Sequence, residues 1–230
     1  MSEAIVSTHR LSAGYDQVPV IHDLEIDTHA GEVVVLLGSN GAGKTTTLNA
    51  IAGGLKPSGG HVSWLGRPTK MSVYRRAAAG IRSVPESKAI FPSMSVVDNL
   101  DIGVGADKER ALELFPELVP ILGRRAGLLS GGEQQMLVVA RALSCRPKLL
   151  LADEVSLGLA PMIVKRLLTA IRRAADEEGL AVLLVEQHLR AALAIADRGY
   201  VLQRGHVVIS GSADELLERI DEIEGAYLTN

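Results

Sequence analysis

The 230-residue chain is poor in several things that would each point somewhere definite. It has a single cysteine, Cys145, so it can form no intrachain disulfide, and a reducing, cytosolic setting is expected. Aromatic residues make up 3% of the sequence against 47% hydrophobic overall, so the core must be built from aliphatic side chains. No apolar run approaches the roughly 18 residues that would span a bilayer. The longest are VVVLL (33–37) and AVLLV (181–185), and MSEAIVSTHRL at the start lacks the apolar stretch of a signal peptide. The formal net charge is -3, without the basic excess of a dedicated nucleic-acid binder. The six histidines are scattered without metal-ligand spacing.

What is present is organised. VVVLL, LLLA (149–152) and AVLLV are continuous rather than alternating, and each adjoins a helix-like segment, which predicts parallel strands covered on both faces. AIVSTHRL and VIHDLEID, before residue 31, alternate partially and suit half-exposed antiparallel strands. GYVLQ and HVVIS flank Arg204-Gly205 as a hairpin, and the tail from Asp214 to Tyr227 reads as helix with Ala213, Leu216, Leu217 and Ile220 on one side. Residues 92–128 carry no strong strand. ADKERALELFPELVPIL is helical until Pro116 and Pro120 interrupt it, so a helical subdomain over 92–146 is expected to be inserted within a single domain, 1–230.

Between the first aliphatic strand and the helix after it lies GSNGAGKT, residues 38–45. Glycines let backbone N–H groups curl around phosphates, and a helix start presents unpaired N–H groups to an anion. In this strand-loop-helix setting the run Gly38, Ser39, Asn40, Gly41, Ala42, Gly43, Lys44, Thr45, with Thr46 behind it, reads as a phosphate-binding loop. Lys44 is expected to reach the β- and γ-phosphates and the Thr45 hydroxyl to hold Mg²⁺. KLLLADE supplies a second metal group, Asp153, at a strand end, and beside it Glu154, which can orient and polarise an attacking water. No Asn-Lys-x-Asp run for reading guanine occurs, whereas Tyr15, in a glycine-containing turn of LSAGYDQ, offers a ring on which adenine can stack.

LSGGEQQ raises a separate question. Ser130 and Glu133 have the spacing of a capping box, but a cap needs neither Gly131 nor Gly132. Two glycines leave the first helical turn bare for a phosphate. Since the loop around Lys44 already surrounds one side of a nucleotide, this second anion-binding start is best explained if it closes over a nucleotide held by another copy or a paralogue.

Taken together, GSNGAGKT, LSGGEQQ and LLLADE, in this order, closely resemble the nucleotide-binding subunits of ABC transporters over essentially the whole chain. The resemblance implies an α/β fold: a RecA-like P-loop NTPase core with an N-terminal antiparallel β part and an inserted helical subdomain. It also implies head-to-tail pairing with a second ATPase subunit, homo- or heterodimeric, in which Ser130, Gly131 and Gly132 contact the γ-phosphate across the dimer. VPESKAIFPSMSVVDNL (84–100), DEVSLGLAP (153–161) and VEQHLRAALAIADRGYVLQRG (185–205) are similar to the LivF type, one of two ATPases in branched-chain amino acid importers, and very similar subunits serve urea and short-amide importers. ATP and Mg²⁺, transmembrane permease subunits, indirectly a solute-binding protein, and a peripheral place on the cytoplasmic face of the inner membrane are what this resemblance implies.

The chain departs from the general ABC pattern at several positions. Where a Gln usually senses Mg²⁺ and the γ-phosphate stands Glu86, as in LivF-like proteins. The γ-phosphate-contacting His, counted back from Asp197 of the ADR run, falls on Gln187, while a one-residue shift of register would make it His188. Val155 replaces the usual Pro after the catalytic Glu, and Ala160 the usual Asp of the interface loop. Three rival readings have less support. A DNA-repair ABC ATPase needs a long coiled coil between its motifs, and no heptad run separates Lys44 from Ser130. A translation-associated protein normally carries two ATPase units, and one is present. A non-catalytic binding module does not need Lys44, Asp153 and Glu154 together.

Overall fold

The computed structural model describes residues 3–16, 18–87 and 89–228, the last three of these by their backbone, so that Lys88 within the LivF-like run lies outside the described residues. The chain opens with an antiparallel sheet. Strands β1 (Val6–Tyr15), β2 (Val18–Leu24) and the short β3 (Asp27–Thr28) come first. Then β4 (Val33–Gly38) enters a second sheet and is followed by helix α1 (Lys44–Ala52). The chain returns to the first sheet for β5 (Gly59–Trp64) and β6 (Arg67–Pro68), giving the order β2-β1-β5-β6 with β3 beside β1. Tyr15 is the last residue of β1 rather than a turn residue. The reversal falls at Asp16, in left-handed backbone (φ 48°), because two register shifts between Leu11 and Gly14 carry the strand past its glycine.

Helix α2 (Val73–Ala78) leads to β7 (Ile81–Val84). Between there and residue 148 the regular elements are helical: α3 (Val96–Leu100), α4 (Lys108–Leu114), 3-10 turns at Pro116–Ile121 and Ala126–Leu128, and α5 (Gly131–Ser144). The 3-10 segment begins where Pro116 removes a backbone donor and contains Pro120, which breaks the α4 helix as expected. Next come β8 (Leu149–Asp153), α6 (Pro161–Glu178), β9 (Ala181–Val185) and α7 (Leu189–Leu193). The hairpin β10 (Arg198–Gln203) and β11 (His206–Ser212) turns through Arg204 and Gly205, both at positive φ (48° and 80°). Helices α8 (Ala213–Glu218) and α9 (Ile220–Leu228) end the chain. The second sheet has the order β11-β10-β4-β9-β8-β7, parallel except for the β10-β11 hairpin.

The continuous aliphatic runs are explained by burial on both faces of this sheet. Val33, Val35 and Leu37 point with Leu150, Val182 and Leu184 into a core shared with α5, α6 and α8. Val34, Leu36, Leu151 and Leu183 point to the other face, against α1 and the antiparallel sheet. The amphipathic α6 buries Val164, Leu167, Leu168, Ile171 and Ala175, begins with Pro161 at its first turn and ends on Gly179 in left-handed backbone. The two sheets are tied by a backbone bond, from the His22 N–H to the Gly205 carbonyl at 2.9 Å, and by a polar side-chain joint. Arg198 on β10 donates through Nη2 to Asp27 Oδ2 at 2.8 Å and through Nη1 to the Tyr200 hydroxyl at 2.5 Å, and it also pairs with Glu32. The Tyr200 hydroxyl in turn donates to Asp27 Oδ1 at 2.8 Å.

Candidate nucleotide site

Parallel strands end their C-termini on one edge, and this edge collects the motifs. Leu36 is level with Val185, and Val185 with Asp153, so the loops after β4, β9 and β8 leave the sheet side by side. The first of these is the 38–45 loop. Gly43 precedes α1 at φ 107°, and a Cβ there would meet Ile21 Cγ2 at 2.6 Å, so no larger residue fits. No side chain caps α1, which leaves its first N–H groups for a ligand.

Lys44 is 5% exposed and curls back over its own loop, donating from Nζ to the carbonyls of Gly38 (2.8 Å) and Ser39 (3.1 Å). Its ammonium lies 3.9 Å from Glu154 Oε1. Burial lowers the Lys44 pKa, and the Glu154 and Asp153 carboxylates oppose that shift. Asp153 is equally buried, and its Oδ1 has no hydrogen-bond partner. Burial raises its pKa. The Thr45 side chain and Lys44 act against this, and the nearby Glu154 and Glu86 carboxylates reinforce it.

Glu154 has left-handed backbone (φ 47°) and fastens to β9 by donating its N–H to the Val185 carbonyl at 2.9 Å. Gln187 donates from Nε2 to Glu154 Oε2 at 2.7 Å and also contacts Asn40 Oδ1 at 3.3 Å. Asn40, Gly41, Gly43, Lys44, Thr45, Thr46, Glu86, Glu154 and Gln187 thus line one cleft of about 470 Å³. His188 is not on it. It precedes α7 and lines an apolar groove along α6 instead. Glu86 also lines the adjoining hollow with Thr45 and Asp153.

Three carboxylates against one lysine, with an unpartnered buried carboxylate oxygen, make an environment that favours a cation. Among the described residues no cluster of three or more His, Cys, Asp or Glu is arranged to hold a metal by itself. The bare Asp153 oxygen, in a hollow shared with Thr45 and Glu86, is a donor set suited to a hard cation such as magnesium, which takes one or two protein oxygens and completes its shell with water and phosphate.

The structure leaves the remaining expected ligand residues outside this cleft. Tyr15 is half exposed at the end of β1. Ser130, Gly131 and Gly132 start α5, with Ser130 accepting from the Glu133 N–H at 3.3 Å while Glu133 Oε2 accepts from the Ser130 N–H at 2.7 Å. Gly132 has a packing reason that its sequence context did not reveal: a Cβ there would stand 3.2 Å from Ile163 on α6. Sequence reasoning also missed Glu186. It is 2% exposed and accepts at Oε1 from the Ser156 N–H at 3.0 Å and at Oε2 from the Ser156 hydroxyl.

Comparison with known proteins places these features in a family. A family model described as ABC transporter matches residues 21–156. The chain is 38% identical to the high-affinity branched-chain amino acid transport ATP-binding protein BraG of Pseudomonas aeruginosa, over 97% of this chain and 99% of that one. It is 35% identical to the probable branched-chain amino acid transport ATP-binding protein LivF of Archaeoglobus fulgidus, over 93% and 94%. Its fold is similar to the ADP conformation of MJ1267, an ATP-binding cassette of an ABC transporter, with a TM-score of 0.86, full coverage of both chains and 22% identity.

Proposed function

From the premise that the chain belongs to the ATP-binding subunits of ABC transporters and is an ATPase, we propose that it powers import of branched-chain amino acids through separate permease subunits. The similarity to BraG and LivF, which covers 97% and 93% of the chain, supports the solute class. The observation that carries the mechanism is the single cleft joining Lys44, Glu154 and Gln187 at the sheet edge. Among the described residues no helix is long and apolar enough to cross a membrane, so the membrane part of the work belongs to other subunits. The chain would dock on them from the cytoplasmic face, as a single ATPase domain (1–230) with the helical segment 92–146 as its inserted subdomain.

In this reading the N–H groups of residues 38–45, with Thr46 behind them, and the Lys44 ammonium neutralise the triphosphate of ATP, while Tyr15 stacks on its adenine. Lys44 leaves the Gly38 and Ser39 carbonyls to do so. Thr45, Asp153 and Glu86 would hold Mg²⁺, which supplies further charge neutralisation at the β- and γ-phosphates. Glu154 orients the attacking water and accepts its proton, and Gln187 donates to the terminal phosphate. Ser130, Gly131 and Gly132 of a second ATPase subunit close the site from the far side. Little covalent chemistry falls to the protein, whose contribution is position and charge.

Reconstitution tests this. The chain, a second ATPase subunit and the permeases would be placed in vesicles with candidate solute-binding proteins, and ATP hydrolysis followed. A binding protein loaded with leucine, isoleucine or valine should stimulate turnover. Stimulation by a urea- or amide-loaded protein would move the solute assignment, and turnover indifferent to permeases and binding proteins would remove the transport role.

A further inference from the structure

Glu186 is a carboxylate at 2% exposure, and the hydrolytic scheme gives it no task. Burying a carboxylate is costly unless hydrogen bonds meet its charge. Burial raises its pKa, and the bonds from the Ser156 hydroxyl and N–H act against the rise. Both of its oxygens are used on one residue: the Ser156 N–H reaches Oε1 at 3.0 Å and the Ser156 hydroxyl reaches Oε2.

The position of this grip gives it a consequence. Ser156 lies two residues beyond Glu154, and Glu186 directly precedes Gln187. Gln187 donates to Glu154 at 2.7 Å. The four residues therefore form a closed ring: Glu154 runs by backbone to Ser156, Ser156 by hydrogen bond to Glu186, Glu186 by backbone to Gln187, and Gln187 by hydrogen bond back to Glu154. The ring is cross-braced by the Glu154 N–H on the Val185 carbonyl at 2.9 Å. It spans a backbone that bends sharply, with Glu154 at φ 47°, a conformation that persists when surrounding bonds impose it.

We propose that Glu186 is a positioning residue: its two-point hold on Ser156 fixes the segment after β8 against the end of β9 and thereby aims the Glu154 carboxylate. The proposal rests on Glu154 being the residue that orients water. Glu186 is sealed from solvent and is not among the residues that line the cleft. Its effect passes through Ser156 and the peptide bonds on either side of it, so it should show in turnover more than in nucleotide affinity.

The test uses the reconstituted complex with three variants. Glu186→Val removes both acceptors at similar side-chain volume. Glu186→Gln keeps an acceptor for the Ser156 N–H and can donate to the Ser156 hydroxyl. Ser156→Ala removes one arm from the other end. Glu186→Val should lower kcat about 10- to 100-fold with KM for ATP within about threefold, since small misplacements of catalytic groups have effects of this size. Glu186→Gln should return kcat to within about threefold of the parent, and Ser156→Ala should fall between. Amide hydrogen exchange should quicken at residues 155–159 in Glu186→Val and stay unchanged along α6.

Parental turnover and parental exchange in Glu186→Val would overturn the proposal. So would Glu186→Gln failing as badly as Glu186→Val, or kcat, KM and melting temperature collapsing together. Should Glu186→Val not fold, parental kcat in Ser156→Ala overturns it instead. Glu154→Gln is measured alongside. Parental turnover in that variant would remove the role given to Glu154, while hydrogen exchange still judges the brace.

Discussion

The side-chain amide of Gln187 donates to Glu154 Oε2 at 2.7 Å, while the other oxygen of that carboxylate faces the Lys44 ammonium at 3.9 Å. Glu154 is thereby held between a neutral donor and a cation, at the end of a strand whose last residue, Asp153, has a bare carboxylate oxygen. A carboxylate so held can keep one lone pair aimed at a water while its orientation is fixed from two sides.

Replacing Glu154 with Gln keeps the shape and removes the base. ATP hydrolysis should fall by about 10²-fold or more, in the range typical of a lost general base. Nucleotide should still bind, and an ATP-loaded dimer should accumulate. Phosphate release and size-exclusion chromatography check both parts, and unaltered turnover would reject the assignment of Glu154.

Gln187 and His188 are separable by experiment because they face different surroundings. Gln187→Ala removes a donor from the cleft and should lower kcat about tenfold or more. His188→Ala removes a side chain on the α6 groove and should leave kcat within about twofold. The reverse ranking, from steady-state kinetics on the assembled complex, would put His188 at the phosphate.

The α5 start carries a pH signature. The Ser130 N–H is the main cause holding the Glu133 carboxyl below its ordinary value of 4.5; burial opposes it, and the Ser130 hydroxyl and Arg124 add to the lowering. A depressed native pKa means that the unfolded chain takes up the proton first as pH falls. The stabilisation from Glu133 is therefore complete above about pH 4.5 and is lost as pH falls through the lower native value. Glu133→Gln can still cap but cannot titrate, so its melting temperature should fall less than the parent's between about pH 5 and pH 3. Parallel acid melting curves would show that Glu133 contributes nothing to this loss.

Arg198 joins the two sheets through Asp27, which Tyr200 of its own strand also reaches, and it pairs with Glu32 just before β4. Arg198→Ala would leave two half-buried carboxylates without their cation. It should cost about 2 kcal/mol, discounted from the fully buried case because the arginine is partly exposed. Chemical denaturation would measure this, and a loss under about 0.5 kcal/mol would mean that packing alone holds the joint.

Much of this architecture was legible because burial leaves a mark on composition. Strands covered on both faces must be apolar at every position, so β4, β8 and β9 stood out as unbroken aliphatic runs. The arrangement of Asp153 and Glu154 follows from their place at the end of β8, and that of Lys44 from the loop between β4 and α1. The edge strand β7 left no such mark, because Arg82 and Ser83 interrupt a four-residue element. The strand β5 was obscured by Gly59, Gly60 and His61 at its head. Glu186 was invisible for another reason: a charged residue in sequence looks solvated, and only tertiary structure shows it sealed against Ser156. Gly132 carries a constraint of the same hidden kind: its lack of a side chain was read as an opening for phosphate, and the fold adds a second reason for it, because a Cβ there would stand 3.2 Å from Ile163.

The Arg198 joint has a mechanical corollary. Tyr15 belongs to the antiparallel sheet and Lys44 opens the helix that follows β4 of the parallel one, and the joint ties one sheet to the other. Nearer the site, backbone bonds bridge the span between the ring that would carry a base and the amine that would carry its phosphates: the His22 N–H donates to the Gly205 carbonyl at 2.9 Å and the Gly205 N–H to the Ala42 carbonyl at 3.0 Å, so both ends of the site hang on one glycine.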